Sequence, residues 1–156
     1  MKTLASDVSP ASPPPAAPGP YQGLLESVAL AANQAGDFQE ALELALVRVC
    51  EATGWRLGHA LVALPEADTG RPGTALTPAG NWHGAGGETY AALRTAALPE
   101  GPFAGLPGRV VATARATWIC DLSRGGEESR AALAVGAGLR AAYAFPVLAG
   151  RAVAAV

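Results

Sequence analysis

The fold class can be worked out from the last part of the chain, residues 139–156, which reads LRAAYAFPVLAGRAVAAV. Apolar side chains occupy every second position at its start: Leu139, Ala141, Tyr143, Phe145 and Val147. A period of two is typical of a half-buried β-strand. The dipeptide Ala149-Gly150 indicates a turn, and a last strand begins at Ala152. The sequence therefore predicts one strand over 139–147, a hairpin and antiparallel pairing.

Helical patterns begin at Tyr21. Leu24, Leu25 and Val28 form an apolar stripe at helical spacing, which ends near Gly36. Asp37 followed by Glu40 matches the reciprocal capping pattern at the start of a second helix. The second helix has an apolar face and a glycine placed for its C-terminal cap: Phe38, Leu42, Leu46, Val49 and Gly54. We therefore expect two helices in series before the first strand.

The middle of the chain mixes short strands and short helices. Residues 55–64 alternate as a strand does, and a Pro/Gly-rich loop follows over 65–74. Further on, the patterns predict a weaker strand over 75–82, helices over 88–96 and 107–115, a short strand over 117–120 and a helix over 127–137 that closes at Gly138. This mixed order, with a final hairpin, predicts an α+β fold.

The first twenty residues differ from the rest, because they hold six of the thirteen prolines. Such a segment has little apolar surface to bury and cannot offset the entropy of ordering. We expect residues 1–20 to form a disordered or polyproline-like leader, and residues 21–156 to form one domain. The chain stops within the last predicted strand, so we expect that domain to be C-terminally incomplete.

Composition argues against several classes of function. The net charge is -2, which gives no broad attraction to nucleic acid or to anionic membranes. Cys50 and Cys120 are the two cysteines and form neither a disulfide framework nor a zinc motif. The sequence contains no apolar run near the roughly 18 residues that span a bilayer, and no apolar stretch typical of a secretory signal. We therefore expect a cytoplasmic protein without nucleic-acid or membrane partners.

Four short motifs carry a resemblance to a known family. They are GLPGRV at 105–110, WICD at 118–121, GLRA at 138–141 and FPV at 145–147. In this order and spacing the chain resembles a GAF domain of the kind found in bacterial sensor histidine kinases and related signalling proteins. The resemblance spans about Tyr21 to Val156, and the segment Gly58-His59-Ala60 and the pair Trp82-His83 are also placed as in that subgroup.

The resemblance implies both an architecture and a function. It implies a central antiparallel sheet with the N-terminal helices on one face and a ligand pocket with short helices on the other. It also implies a further C-terminal helix that leads to an output module such as a histidine kinase. The chain would then be a non-catalytic sensory domain that binds an unidentified small molecule and dimerises through its N-terminal helices. Its candidate ligand-binding residues are Trp82, His83, Tyr90, Arg109, Trp118 and Asp121.

Several other functions fit the residues less well. A ligand-free dimerisation module of a signalling protein is the main alternative. Haem ligation by His59 or His83 lacks a visible partner ligand. A bilin-binding or methionine sulfoxide-reducing role for Cys120 lacks the neighbouring histidine or the further cysteines, so we expect Cys120 to be a buried small hydrophobe. No cofactor, metal or catalytic residue is predicted.

Three local motifs have simpler structural interpretations. Residues 136–141 satisfy the dinucleotide fingerprint GxGxxA, but these glycines close a helix instead of opening one, so a helix cap is expected. Gly105 to Arg109 could form an anion cradle at a helix start, or simply a tight entry to that helix. We expect Asp121 to stabilise a turn, with a pocket acid as the alternative.

Overall fold

The computed structural model describes residues 21–65, 67, 72–84, 88–98, 103–124 and 129–156. The predicted leader over 1–20 lies outside these residues, as does Glu127, the predicted start of the last helix. The helices and strands in chain order are α1 Gln22–Gln34, α2 Phe38–Thr53, β1 Gly58–Pro65, β2 Pro72–His83, α3 Ala91–Thr95, α4 Gly105–Thr113, β3 Thr117–Ile119, α5 Ser129–Gly136, β4 Ala142–Ala144, β5 Val147–Ala149 and β6 Ala152–Ala155. The α+β class is confirmed.

The ends of α2 follow the predicted capping signals with one difference. The Asp37 carboxylate accepts a hydrogen bond from the Glu40 backbone N–H at 2.8 Å, as expected of an N-cap. The Glu40 side chain turns back, but it accepts from the N–H of Gly36 at 2.7 Å instead of from that of Asp37. Gly54 ends the helix with a φ of 71°, in the left-handed region that glycine adopts without strain.

The strands form two antiparallel sheets. The larger sheet has the order β2-β1-β6-β5, and the smaller one pairs β3 with β4. The predicted single strand over 139–147 is wrong, because β4 and β5 are separate strands in different sheets. Phe145 and Pro146 lie between them, and proline has no N–H to donate to a continuous ladder. The predicted turn at 149–150 does join two paired strands.

One face of the larger sheet is covered by α2. Leu42 of α2 packs with Ala60 of β1 and Ala155 of β6 in a buried cluster. Gly58 allows this close approach, because a Cβ at that position would lie 2.7 Å from the Cys50 sulfur. At the β2 end, the Asn81 side-chain amide donates to the backbone carbonyl of Gln39 at 3.1 Å.

A second core lies on the opposite face. Tyr90, Leu93, Leu122 and Ala134 are buried together there, and Leu57 packs against them. Leu57 and His59 alternate along the chain with Gly58 and Ala60, so the two sets of side chains leave β1 on opposite faces. The short helices α3 and α5 therefore cover the face that α2 does not cover.

The end of α5 explains the GxGxxA pattern. Gly138 has a φ of 79°. Its N–H donates to the Val135 carbonyl and the N–H of Leu139 donates to the Ala134 carbonyl, both at 2.9 Å. This pair of bonds is a Schellman motif, the glycine-dependent end of a helix. The helix-cap prediction is confirmed.

Within the described residues, the longest helices are too short or too polar to cross a bilayer.

Candidate functional site

The candidate site begins with two neighbouring aromatic side chains on β1 and β2. His59 and Trp82 are direct partners in the antiparallel ladder, so their side chains leave the sheet on the same face. Their rings are stacked, with centroids 3.7 Å apart and planes inclined by 12°. Because Leu57 precedes His59 by two residues and belongs to the second core, this stack lies on the face away from α2.

Arg130 of α5 reaches the same place from the other side of the second core. Its guanidinium carbon lies 6.0 Å from the centroid of the Trp82 ring, near the outer limit of a cation–π contact. Its Nη1 donates to the backbone carbonyl of Ala96, just after α3, at 2.8 Å. Burial lowers the pKa of Arg130, but an arginine keeps its charge at any physiological pH. Residues from β1, β2 and α5 therefore meet in one cluster.

His59 is neutral near pH 7 in this setting. Burial, and after it the positive charge of Arg130, lower the pKa of His59 from its ordinary 6.5 to about 4. Its Nε2 atom is shut off from solvent and has no hydrogen-bond partner among the described residues. Buried polar atoms usually have a partner, so the unpaired Nε2 of His59 is an exception among the buried polar atoms of the described residues. We call His59, Trp82 and Arg130 the polar cluster.

Of the predicted site residues, Trp82 alone belongs to the polar cluster. His83 follows it on β2 and pairs with Gly58, so its side chain leaves the sheet on the α2 face. Tyr90 is 3% exposed and packs in the second core with Leu93. A side chain this deeply buried offers almost no surface to a ligand.

Arg109 and Trp118 lie elsewhere on the molecule. Arg109 is exposed on α4, whereas the neighbouring Gly108 is buried. A Cβ at Gly108 would lie 2.2 Å from the backbone carbonyl carbon of Phe103, so this glycine is required by a close approach of two backbone segments. Trp118 is 54% exposed on β3, with its ring against those of Trp55 and Tyr143.

Asp121 is held in a turn, as expected. One carboxylate oxygen accepts from the backbone N–H of Ser123 at 3.0 Å and from its hydroxyl at 2.6 Å. The other oxygen lies 3.1 Å from Nε of Arg124. These bonds, that of the Ser123 hydroxyl first, hold the pKa of Asp121 below its ordinary value. The carboxylate is therefore already engaged in local contacts.

The two cysteines differ in a way that the sequence did not indicate. Cys120 is exposed, so the prediction of a buried small hydrophobe is wrong for it. The buried cysteine is Cys50 of α2, whose sulfur lies against Gly58 of β1 and whose thiol pKa is raised by burial. In the part of the chain that the structure describes, no cluster of histidine, cysteine, aspartate or glutamate could hold a metal ion.

Sequence reasoning missed the role of Arg130. The alternation along β1 correctly placed His59 with Leu57, and the pairing of the two strands then brings it to Trp82. No comparable sequence pattern indicated a role for Arg130, because a single arginine near the start of a short helix is common and has no specific meaning. Only the packing of α5 against the sheet brings it there.

Comparisons with known proteins add no assignment: the sequence matches no protein-family model, and the search of curated proteins gives no significant match. The resemblance to GAF domains therefore remains a prediction from the motifs.

Proposed function

We propose that this chain is a non-catalytic sensory domain of the GAF type, which binds a small molecule and relays its presence to an output module such as a bacterial histidine kinase. The observation that carries the proposal is the polar cluster. A stacked histidine, a tryptophan and a half-buried arginine lie on the sheet face opposite the helical pair α1–α2. Ligand sites are lined mainly by apolar and aromatic side chains with a few convergent polar groups, and the polar cluster has this composition.

Signal relay follows from where the cluster residues are anchored. Trp82 is on β2 and Arg130 is on α5, and the latter also holds the end of α3 through the Ala96 carbonyl. A molecule that binds between them favours one arrangement of α3 and α5 relative to the sheet. A ligand with different affinities for two arrangements shifts their populations, which is sufficient for a sensor.

The test is native mass spectrometry of the full chain, freshly purified and then mixed with metabolite extract. We expect a species with added mass that disappears on denaturation. The Arg130→Gln and His59→Gln variants should each lower the fraction of the protein that carries this added mass. Arg124→Gln is the matched control, because Arg124 is an exposed arginine paired with Asp121 outside the cluster. A chain that binds nothing before and after incubation with extract would contradict the proposal.

A second function, dimerisation without a ligand, is favoured by one surface. Three apolar side chains at α1 are exposed, Tyr21 at 68%, Leu25 at 70% and Leu30 at 57%, of which Tyr21 and Leu25 are one helical turn apart. Apolar surface of this kind is often an interaction site. If the chain is a ligand-free dimerisation module, native mass spectrometry will show a dimer without added mass, and Leu25→Glu will convert it to a monomer while Glu26→Ala will not.

A further inference from the structure

The charge of Arg130 has no negative counterpart among the described residues. Its side chain is half-buried, and its contacts among the described residues are with neutral groups, the Ala96 carbonyl and the indole ring of Trp82, beside the neutral imidazole of His59. The ion pairs in the described part of the chain use other arginines, Arg48 with Glu51 and Arg124 with Asp121. A partly buried charge that is matched only by dipoles is less stable than one matched by an opposite charge. The polar cluster is therefore suited to an anion.

The chemistry of the guanidinium narrows the type of anion. It carries five N–H donors in a planar fork, and the Ala96 carbonyl accepts at Nη1. The remaining donors match two oxygens of an oxyanion, as in the bidentate bonds that carboxylates and phosphates form with arginine. Partial burial strengthens such bonds, because less water screens them.

Trp82 and His59, the other two side chains of the polar cluster, indicate which further groups a ligand could contact. The Trp82 ring is partly exposed and offers an apolar surface beside the guanidinium. Neutral His59 has one ring nitrogen, Nε2, without a partner. Since solvent does not reach Nε2, a ligand gains this contact only when the groups around it move, as expected of a site that reports binding by rearrangement.

We infer that the polar cluster binds a small organic carboxylate, with the carboxylate on Arg130 and the apolar part of the molecule against Trp82. The inference rests on the proposed sensory function and names the ligand class of the same site. Inorganic anions lack the apolar part, and neutral aromatic molecules lack the charge, so both serve as comparisons.

The probe is benzoate, with benzamide as its neutral counterpart of nearly the same shape. The full chain, labelled with fluorotryptophan, gives one fluorine NMR signal for each of Trp55, Trp82 and Trp118, and Trp82→Phe identifies the relevant signal. We expect benzoate, at about millimolar concentration, to shift the Trp82 signal. Benzamide should bind about tenfold more weakly or worse, since it lacks a charge-assisted bond. The signals of Trp55 and Trp118 should stay in place.

Variants test whether Arg130 causes the stronger binding of benzoate relative to benzamide. Arg130→Gln should remove the difference between benzoate and benzamide, while Arg130→Lys, which keeps the charge, should retain part of it. Arg124→Gln should leave the preference unchanged. An absent benzoate response, an equal response to benzamide, or a preference that survives Arg130→Gln would each overturn the inference.

Two further results separate this inference from the proposed function. Glu127 and Glu128 precede Arg130 in the sequence and lie outside the described residues. If benzoate shifts the Trp82 signal only after their joint change to glutamine, the chain itself supplies the counter-charge and the inference fails. Native mass spectrometry could instead identify a neutral natural ligand whose binding depends on Arg130. That result would overturn the inference that the ligand is a carboxylate, and it would still support the sensory function.

Discussion

The imidazole of His59 lies flat against the indole of Trp82, with ring centroids 3.7 Å apart. The contact joins the neighbouring strands β1 and β2 on the face opposite α2. Stacking with a neutral imidazole is compatible with the apolar surroundings, whereas an imidazolium would bring a second positive charge next to Arg130. The arrangement therefore makes the stability of the fold depend on pH.

The first prediction concerns that pH dependence. In the folded chain His59 has a pKa of about 4, against 6.5 when unperturbed, so below pH 6.5 the unfolded chain binds more protons at this residue. The free energy of unfolding should fall as the pH drops from 6.5 towards 4. His59→Gln should remove this part of the slope in urea titrations, and His83→Gln should retain it because the stack is intact. Equal slopes in His59→Gln and wild type would contradict the stated origin.

The second prediction concerns Gly108 of α4. A Cβ there would meet the backbone of Phe103 at 2.2 Å, so Gly108→Ala should destabilise the domain by about 2 kcal/mol or more, despite the better helix propensity of alanine. Gly136→Ala is the matched control, because a Cβ on Gly136 in α5 meets no atom within 4 Å. That change should be neutral or stabilising by up to about 1 kcal/mol. Chemical denaturation of the two variants measures the difference.

The third prediction concerns the start of α2. Asp37→Ala removes the acceptor for the Glu40 N–H and should lower the free energy of unfolding by about 1 kcal/mol. Asp37→Asn keeps an oxygen acceptor and should lose less than half of that. If the alanine and asparagine variants are equally stable, the carboxylate is not acting as a cap.

The fourth prediction separates two aromatic residues that the sequence placed in one pocket. Tyr90 is 3% exposed in the second core, so Tyr90→Ala should cost about 3–5 kcal/mol of stability. Trp118 is 54% exposed on β3, and Trp118→Ala should cost about 1 kcal/mol or less. Thermal denaturation followed by circular dichroism will compare them. A larger loss at Trp118 would mean that its surface is covered in solution.

The fifth prediction concerns the thiols. Cys120 is exposed and Cys50 is buried, so a water-soluble maleimide should modify one thiol in the native chain and both after unfolding. Cys120→Ser should abolish the native reaction, while Cys50→Ala should leave it in place. Mass spectrometry of the labelled protein gives the stoichiometry directly, and rapid native labelling of Cys120→Ser would show that Cys50 is accessible.

Features that depend on a few neighbouring residues were predictable from the sequence. Asp37 begins α2 and Gly54 ends it, and Gly138 ends α5 with the bonds of a helix terminus. These bonds join atoms within five residues of each other, so local backbone geometry and residue type are sufficient to select them. The α+β class could also be predicted from the sequence, because the periods of helices and strands can be recognised within short windows of residues.

The errors lie where a remote contact outweighed a local pattern. Residues 139–147 keep the period of one strand, yet the chain changes sheets at Phe145 and Pro146 because different partners lie on each side. Cys120 follows the apolar strand β3, yet its side chain is exposed, since no element among the described residues packs over it. Periodicity reports which side chains share a face, but not which face another element covers.

The polar cluster shows the same division between sequence and tertiary structure. The two-residue period of β1 determined that His59 and Leu57 share a face, and the pairing of β1 with β2 then placed Trp82 beside His59. The position of Arg130 was decided only when α5 packed against the second core, 34 residues along the chain from the Ala96 carbonyl that it binds. Local hydrogen bonds are specified by neighbouring residues, whereas the meeting of distant side chains depends on the packing of the whole domain.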